Sequence, residues 1–219
     1  MQIGSQTVLE HCVANCRQSE GHINKKTAIH NIEVKTVLLV PSFETAEFIE
    51  ILSGMKLTDI TLIDGPEDDV LTRYLKILEH SSPKYICRIT SDCPFVPPEL
   101  ITKHIQLAVT NRLDYVANVD VRFRTAPDGY DVEVFSRDLL IHMDEHTKNM
   151  GDREHVTSFV RRRMPRWARA AHVTHNVDMS DIKWSIDTED DYVRLRDLYL
   201  KKQAKEVNLK NTNLGMFKF

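Results

Sequence analysis

The sequence predicts a single α/β domain built on a mainly parallel β-sheet. Helical and strand-like apolar patterns alternate along most of the chain, which is typical of α/β folds. The chain has 219 residues, which is enough for one large domain with its own core and short for two. Because neither an internal repeat nor a linker-like segment interrupts the pattern, we place one domain at 1–205 and a polar tail at 206–219.

The first half of the domain is predicted from apolar spacing and from residues that end elements. A β-branched run stopped by Pro41 indicates a buried strand, and Gly54 is placed as the stop of the helix that comes next. In chain order we expect a helix at 7–17, a strand at 34–40, a helix at 44–52, a strand at 59–63, a helix at 67–79 and a strand at 84–89.

The second half is predicted mainly from helix starts. Pro97 suits the first turn of a helix, where proline costs no hydrogen bond, and Ser136, Asp152 and Thr188 suit the caps of later helices. Alternating polar and apolar residues at 130–135 suit a strand with one polar face. In chain order we expect a helix at 97–111, strands at 114–119 and 130–135, helices at 136–146 and 152–163, strands at 170–176 and 183–186, and a helix at 188–202.

The composition excludes several classes of protein. The formal net charge is −3, whereas a general nucleic-acid binder carries a basic excess. No stretch approaches the length of a transmembrane helix, and the N-terminus lacks the pattern of a signal peptide. We therefore expect a cytoplasmic protein without nucleic-acid or membrane partners.

The clustered arginines and the four cysteines can each be interpreted either as functional or as purely structural residues. A basic cluster is either a solvated helix face or a patch for an anionic substrate or partner. Its members are Arg161, Arg162, Arg163, Arg166 and Arg169. The cysteines lack the spacing of a zinc site and are predicted to be reduced core residues. They are Cys12, Cys16, Cys87 and Cys93.

Two aspartates, Asp92 and Asp187, each lie just after a predicted strand, at its carboxyl end. Ligands of open α/β sheets bind at this edge. Two carboxylates that meet there suit a hard divalent cation such as Mg²⁺, which in turn suits phosphoryl or nucleotidyl transfer. An aspartate after a strand also caps turns and helices, so both interpretations stay open at this point.

Five motifs, in order along the chain, resemble those of one known family. They are EDDVLTRY at 67–74, RITSDCP at 88–94, PDGYDVEVF at 127–135, DREHVT at 152–157 and IDTED at 186–190. In these motifs the chain is similar to the cytidylyltransferases of surface-polysaccharide synthesis. It is most similar to the spore coat polysaccharide biosynthesis protein F family, which is related to the CMP-sialic acid and CMP-Kdo synthetases.

The resemblance implies a fold, a reaction and a cofactor. The fold is the three-layer α/β/α nucleotide-diphospho-sugar-transferase fold, which is Rossmann-like. In the reaction, the hydroxyl of a sugar acid or amino sugar attacks the α-phosphate of CTP, which yields a CMP-sugar and pyrophosphate. Asp92 and Asp187 correspond to the catalytic Mg²⁺ ligands of the family. Relatives are often dimers, so the resemblance also implies a homodimer.

Two arginines match positions near the nucleotide. Arg73 resembles a nucleotide-binding residue, and its alternative is a surface ion pair with Asp69, four residues earlier on the same helix. Arg88 either faces a phosphate or stabilises the sheet edge.

Six further residues match the acceptor-sugar side of the family. They are Asp128, Asp131, Glu133, Arg153, Glu154 and His155. Asp131 and Glu133 share one face of a strand, so both point into one cleft or form the polar outer face of an edge strand. Arg153, near a helix start, suits the carboxylate of an acceptor. His155 belongs to the same side or is a buried histidine that the backbone satisfies.

The N-terminus departs from the family pattern. Family members begin with a strand and a phosphate-binding loop rich in Gly, Ser and Arg, and residues 1–11 resemble the segment just after that loop. We therefore expect this chain to lack the first strand and the loop, which would leave the strand at 34–40 with an unpaired edge. A start codon assigned too far downstream, a truncated chain and a natural shortening are three explanations.

Two other functions stay open. The absent loop favours an inactive, shortened relative that binds a sugar or serves as a partner subunit. A glycosyltransferase that consumes a nucleotide-sugar would also use metal-binding carboxylates, but the motifs at 152–157 and 186–190 fit the nucleotidyl branch better.

Overall fold

Helices alternate with strands from the start of the chain. The computed structural model describes residues 1–25 and 32–211, with side chains as far as residue 203. The strands are β1 Gln2–Ile3, β2 Gln6–Thr7, β3 Val37–Pro41, β4 Thr61–Gly65, β5 Tyr85–Arg88, β6 Tyr115–Ala117, β7 Glu133–Ser136 and β8 Ala170–His172. The helices are α1 Val8–Lys25, α2 Thr45–Gly54, α3 Val70–His80, α4 Pro98–Asn111, α5 Arg137–His146, α6 Met150–Glu154, α7 Ser158–Arg162 and α8 Glu189–Asn211.

The main sheet has the strand order β5-β7-β6-β8, and three of its four strands run in the same direction, as predicted for a mainly parallel sheet. β7 is antiparallel to both β5 and β6, whereas β8 is parallel to β6, so β7 alone is reversed among these strands. A parallel pair of β3 and β4 forms a second sheet, and β1 pairs with β2. Within the described residues β3 pairs only with β4. The expected lack of a first strand and phosphate loop stays a prediction.

Helices cover both faces of the main sheet, which confirms the three-layer architecture. Consecutive residues of β7 point to opposite faces, so Phe135 packs with α3 and α5 while Val134 packs with α4. Phe135 is fully buried beside Tyr74, with ring centroids 5.8 Å apart. The burial of one such side chain contributes about 1.5–3 kcal/mol to folding.

Helix caps fix the starts of several helices. Ser136 Oγ accepts a hydrogen bond from Leu139 N at 3.2 Å, and Thr188 Oγ1 accepts one from Asp191 N at 3.2 Å. Both predicted caps are therefore confirmed. Asp69 caps α3, because its Oδ1 accepts a hydrogen bond from Thr72 N, in the first turn of the helix, at 3.0 Å. Each cap of this kind contributes about 1 kcal/mol.

The single helix predicted at 152–163 is wrong, because the chain divides there into α6 and α7. Asn149, rather than Asp152, caps α6, and its Oδ1 accepts from Asp152 N at 3.3 Å. Between the two helices Val156 has a φ of 55°, which is unusual for a β-branched residue. This left-handed residue breaks the helix and directs the chain towards the buried Thr157.

Other element ends also differ from the prediction. α2 includes Gly54, and the left-handed residue after it is Lys56, with a φ of 57°. The strand predicted at 183–186 is reduced to one bridge between Asp128 and Lys183, after which the chain turns into α8. α8 includes the start of the predicted tail, and residues 212–219 lie outside the described part.

All four cysteines are free thiols, as predicted. Cys12 and Cys93 are buried, and the other two are half-buried. Burial raises the pKa of Cys12 to about 12, so its thiol stays protonated at neutral pH.

The arginine cluster lies on an exposed surface. Its members Arg162, Arg163, Arg166 and Arg169 are exposed, and Arg162 forms an ion pair with Asp152. Because α7 ends at Arg162, the cluster continues from a helix onto the next loop. Across the described ranges, no helix combines the length and the apolar character that a bilayer crossing requires.

Candidate active site

The two predicted metal ligands lie on neighbouring segments at the carboxyl edge of the main sheet. Asp92 lies after β5, and Asp187 lies just before α8. Ile186 N donates a hydrogen bond to Asp92 O at 2.9 Å, which joins the two segments directly beside both aspartates. The Asp187 side chain is half exposed, whereas Asp92 is more enclosed and its Oδ1 accepts a weak bond from Cys93 Sγ at 3.3 Å.

A lysine and a serine contact the Asp187 carboxylate. Lys183 Nζ lies 2.7 Å from Asp187 Oδ2, and Ser185 Oγ donates to the same oxygen at 3.1 Å. Lys183 Nζ also lies 2.6 Å from Asp191 Oδ2. These two carboxylates raise the pKa of Lys183 to about 12. These contacts were not predicted from the sequence, although Lys183 and Asp191 each lie four residues from Asp187.

The acceptor-side residues Asp128 and Asp131 meet at Arg124. Arg124 Nη2 lies 2.5 Å from Asp131 Oδ1 and 3.3 Å from Asp128 Oδ1. Asp128 Oδ2 also accepts from Ser185 Oγ at 3.0 Å, so this group lies directly beside Asp187. Burial raises the pKa of Asp131, although Arg124 opposes this effect. No local pattern in the sequence identifies Arg124 as the partner of both carboxylates.

Gly129 permits the close approach of the Asp128 segment to the segment that carries Ser185. It has a φ of 96°, and a Cβ at this position would lie 2.3 Å from Ser185 N and from the carbonyl carbon of Trp184. Both atoms belong to the backbone, so neither can rotate away. Glycine is therefore required for this part of the site to form.

Arg88 and Glu133, predicted to contact nucleotide and sugar, form a buried ion pair with each other. Arg88 Nη1 lies 2.9 Å from Glu133 Oε2, across the β5–β7 pair. Tyr115 and Thr157 both donate hydrogen bonds to Glu133 Oε1. All residues of β7 are buried, so a polar outer face on this strand is wrong, and Glu133 lies inside the domain.

Arg73 does not pair with Asp69, which corrects one of its two sequence interpretations. The Asp69 carboxylate caps α3 and forms an ion pair with Arg153 at 2.7 Å. Arg73 lies over Gly65 at the end of β4, and its Nη2 donates to Glu67 O at 3.2 Å. Burial lowers the pKa of Arg73, although its guanidinium still carries a charge at neutral pH.

The remaining acceptor-side residues lie on or next to α6. Arg153 joins three helices, because it bonds Asp69, the Thr72 hydroxyl at 3.0 Å and Asp144 at 3.0 Å. Glu154 and His155 are exposed, so the interpretation of His155 as a buried histidine is wrong.

The donor set of Asp92 and Asp187 suits Mg²⁺ in one particular way. Within the described residues, no group of three or more His, Cys, Asp or Glu side chains is close enough to hold a metal ion alone. Mg²⁺ is usually held by one or two carboxylates together with substrate phosphates and water. Asp92 and Asp187 therefore fit the ion in the presence of a nucleotide rather than as a cage of protein ligands.

The sequence of this chain matches known proteins along most of its length. A family model described as Cytidylyltransferase matches residues 1–213. The spore coat polysaccharide biosynthesis protein SpsF of Bacillus subtilis is 28% identical to this chain over 205 residues, which are 91% of this chain and 78% of SpsF.

Solved structures show the same fold. A cytidylyltransferase from Leptospira borgpetersenii aligns with a TM-score of 0.76 and 20% identity, over 100% of this chain and 91% of its own. CMP:2-keto-3-deoxy-manno-octonic acid synthetase complexed with CTP aligns with a TM-score of 0.61 and 10% identity, over 92% and 91% of the two chains.

Proposed function

Because this chain belongs to the cytidylyltransferase family and is therefore a nucleotidyltransferase, we propose that it transfers CMP from CTP to a sugar, with release of pyrophosphate. The acceptor we propose is a sugar acid or amino sugar of a surface polysaccharide, in line with the name of the relative SpsF. The observation that carries the proposal is the junction of the Asp92 and Asp187 segments at the carboxyl edge of the sheet.

We assign the two aspartates to a nucleotide-bound Mg²⁺. The bound ion would neutralise the triphosphate and the charge that develops on the leaving pyrophosphate. Asp92 and Asp187 supply oxygen ligands, and the bond from Ile186 N to Asp92 O keeps their segments in register.

The other predicted site residues divide into binding and supporting groups. Arg73 is the better candidate for the nucleotide, because Arg88 and Arg153 already neutralise carboxylates inside the domain. We assign Asp128 to the acceptor hydroxyls, since its half-exposed carboxylate lies beside Ser185 and Asp187. Glu133 supports the site from inside the domain.

The test is pyrophosphate release with CTP, Mg²⁺ and a panel of sugar acids and amino sugars. We expect activity in the native chain and a loss of about 10²-fold or more in Asp92→Asn and in Asp187→Asn, the usual effect of removing a group that stabilises the transition state. Asp190→Asn is the matched control, because Asp190 is exposed and lies three residues from Asp187. Full activity in both site variants would refute the metal assignment.

Activity must be separated from binding in this test. Calorimetric titration with CTP and Mg²⁺ measures binding alone. Binding of CTP without pyrophosphate release from any sugar on the panel would argue against the proposed acceptors. A folded chain that binds no CTP would refute the proposed reaction itself.

A further inference from the structure

Lys183 contacts the same carboxylate that we assign to the metal. Its Nζ lies 2.7 Å from Asp187 Oδ2 and 2.6 Å from Asp191 Oδ2, so one ammonium group joins two carboxylates. The two partners differ in exposure: the Asp187 side chain is 50% exposed, whereas that of Asp191 is 11% exposed. The ammonium group is thus shared between an outer and an inner carboxylate.

Asp191 is fixed more firmly than Asp187. Its Oδ2 accepts hydrogen bonds from Thr188 N at 3.1 Å and from Thr188 Oγ1 at 2.9 Å, at the start of α8. Asp187 N lies 3.3 Å from the same oxygen. Lys183 is also held through its backbone, because Arg194 donates to Lys183 O at 2.7 Å. A change at Asp187 therefore leaves the bond between Lys183 and Asp191 in place.

We propose that Lys183 is a resident counter-ion of Asp187 that couples cation binding to nucleotide binding. Without nucleotide, its ammonium competes with a divalent cation for Asp187 Oδ2. When the cation takes that oxygen, Lys183 keeps Asp191 as a partner and has N–H donors free for an anionic phosphate. The inference rests on the proposed function, because it assumes that Asp187 is a metal ligand.

The competition is measurable without catalysis. Free Mn²⁺ is titrated by electron paramagnetic resonance against the native chain and Lys183→Met, with and without a non-hydrolysable CTP analogue. Without nucleotide, we expect Lys183→Met to bind Mn²⁺ roughly five-fold more tightly, a modest factor because solvent screens an exposed ion pair. The analogue should raise Mn²⁺ affinity by a smaller factor in Lys183→Met than in the native chain, since coupling is reciprocal.

Arg196→Met is the matched control. Arg196 lies on α8 and pairs with Asp197 at 3.0 Å, and its loss removes one positive charge from this helix while the contacts of Lys183 with Asp187 and Asp191 stay in place. We expect its Mn²⁺ affinity to stay within about two-fold of the native value. Lys183→Arg keeps the charge and should behave like the native chain. Equal tightening in Lys183→Met and Arg196→Met, or tightening in neither, would overturn the proposal.

Asp187→Asn separates this inference from the proposed function. If Asp187→Asn abolishes Mn²⁺ binding while Lys183→Met leaves it unchanged, the metal assignment stands and only the role of Lys183 is refuted. If Asp187→Asn leaves Mn²⁺ binding unchanged, both are refuted. Thermal unfolding of each variant shows whether a loss of binding comes from a loss of fold.

Discussion

Replacement of Arg88 by methionine tests whether this residue is structural or binds the nucleotide. The Arg88 side chain is 17% exposed and its partner Glu133 is 3% exposed. In Arg88→Met, Glu133 keeps two neutral donors, Tyr115 and Thr157, but loses its only cationic partner among the described residues. A buried carboxylate without its counter-ion costs about 3–5 kcal/mol, so we expect that loss in the free energy of unfolding.

The double variant Arg88→Met/Glu133→Gln shows whether the loss comes from the unpaired charge. Glutamine is neutral and its carbonyl oxygen still accepts from Tyr115 and Thr157, so we expect about half of the lost stability to return. Urea unfolding measured by circular dichroism gives the free energies, with an unchanged denaturant slope as evidence of two-state behaviour.

Arg122→Met is the control for this measurement, because Arg122 forms an ion pair with Asp120 but is 64% exposed. Its loss should destabilise the protein far less than the loss of Arg88, since solvent screens an exposed pair. If Arg88→Met destabilises the protein no more than Arg122→Met does, yet weakens CTP binding, then Arg88 is a nucleotide ligand and its structural assignment is wrong.

Two further predictions concern acid stability and backbone geometry. Burial lowers the pKa of His104 to about 4, below its ordinary 6.5, so the unfolded chain takes up a proton between these pH values that the folded chain does not. The free energy of unfolding should therefore fall by about 3 kcal/mol as the pH drops from 6.5 to 4. Urea unfolding at each pH measures this fall, and in His104→Leu the part due to the histidine should be absent. An equal fall in the native chain and in His104→Leu would contradict the prediction. Gly129→Ala should lower the free energy of unfolding by about 3 kcal/mol or more, because the new Cβ would meet two backbone atoms at 2.3 Å and the φ is positive. The variant should still fold but bind Mn²⁺–CTP more weakly. A thermal midpoint unchanged from the native chain would refute the close approach.

The sequence predicts the elements of this fold better than their directions and partners. Strand positions and the caps Ser136 and Thr188 depend on local signals, namely apolar spacing and short polar side chains before a helix. The reversal of β7 has no such signal, because an antiparallel and a parallel strand can share one apolar pattern. Burial on both faces of β7 results from the helices that pack on the sheet, α3 and α5 on one face and α4 on the other, which is a property of the tertiary fold.

Charged partners were the least predictable part of the site. The four-residue spacing of Asp69 and Arg73 suggests a helical ion pair, yet Asp69 bonds Arg153, 84 residues away. Local spacing identifies the pairs that a helix permits, but it does not identify a stronger partner that the fold supplies from another element. Arg124 is a different case, because it lies only four and seven residues before its two carboxylates, in a segment that is not helical, so the spacing rule for helices does not identify these pairs.

The five motifs are connected to one another in the folded chain, which changes what their presence means. Asp69 with Arg153 joins the first motif to the fourth, and Arg88 with Glu133 joins the second to the third. These four charged residues neutralise one another inside the domain, so their presence in the motifs reflects how the edge of the sheet is held together.

Asp92 and Asp187 are different. The bond that joins their segments uses backbone atoms, which leaves the carboxylates themselves available. The cation that contacts Asp187 is Lys183, and Asp191 retains that lysine when Asp187 is taken by another ion. We therefore expect the chemistry of the site at Asp92 and Asp187, because their carboxylates can exchange one cation for another.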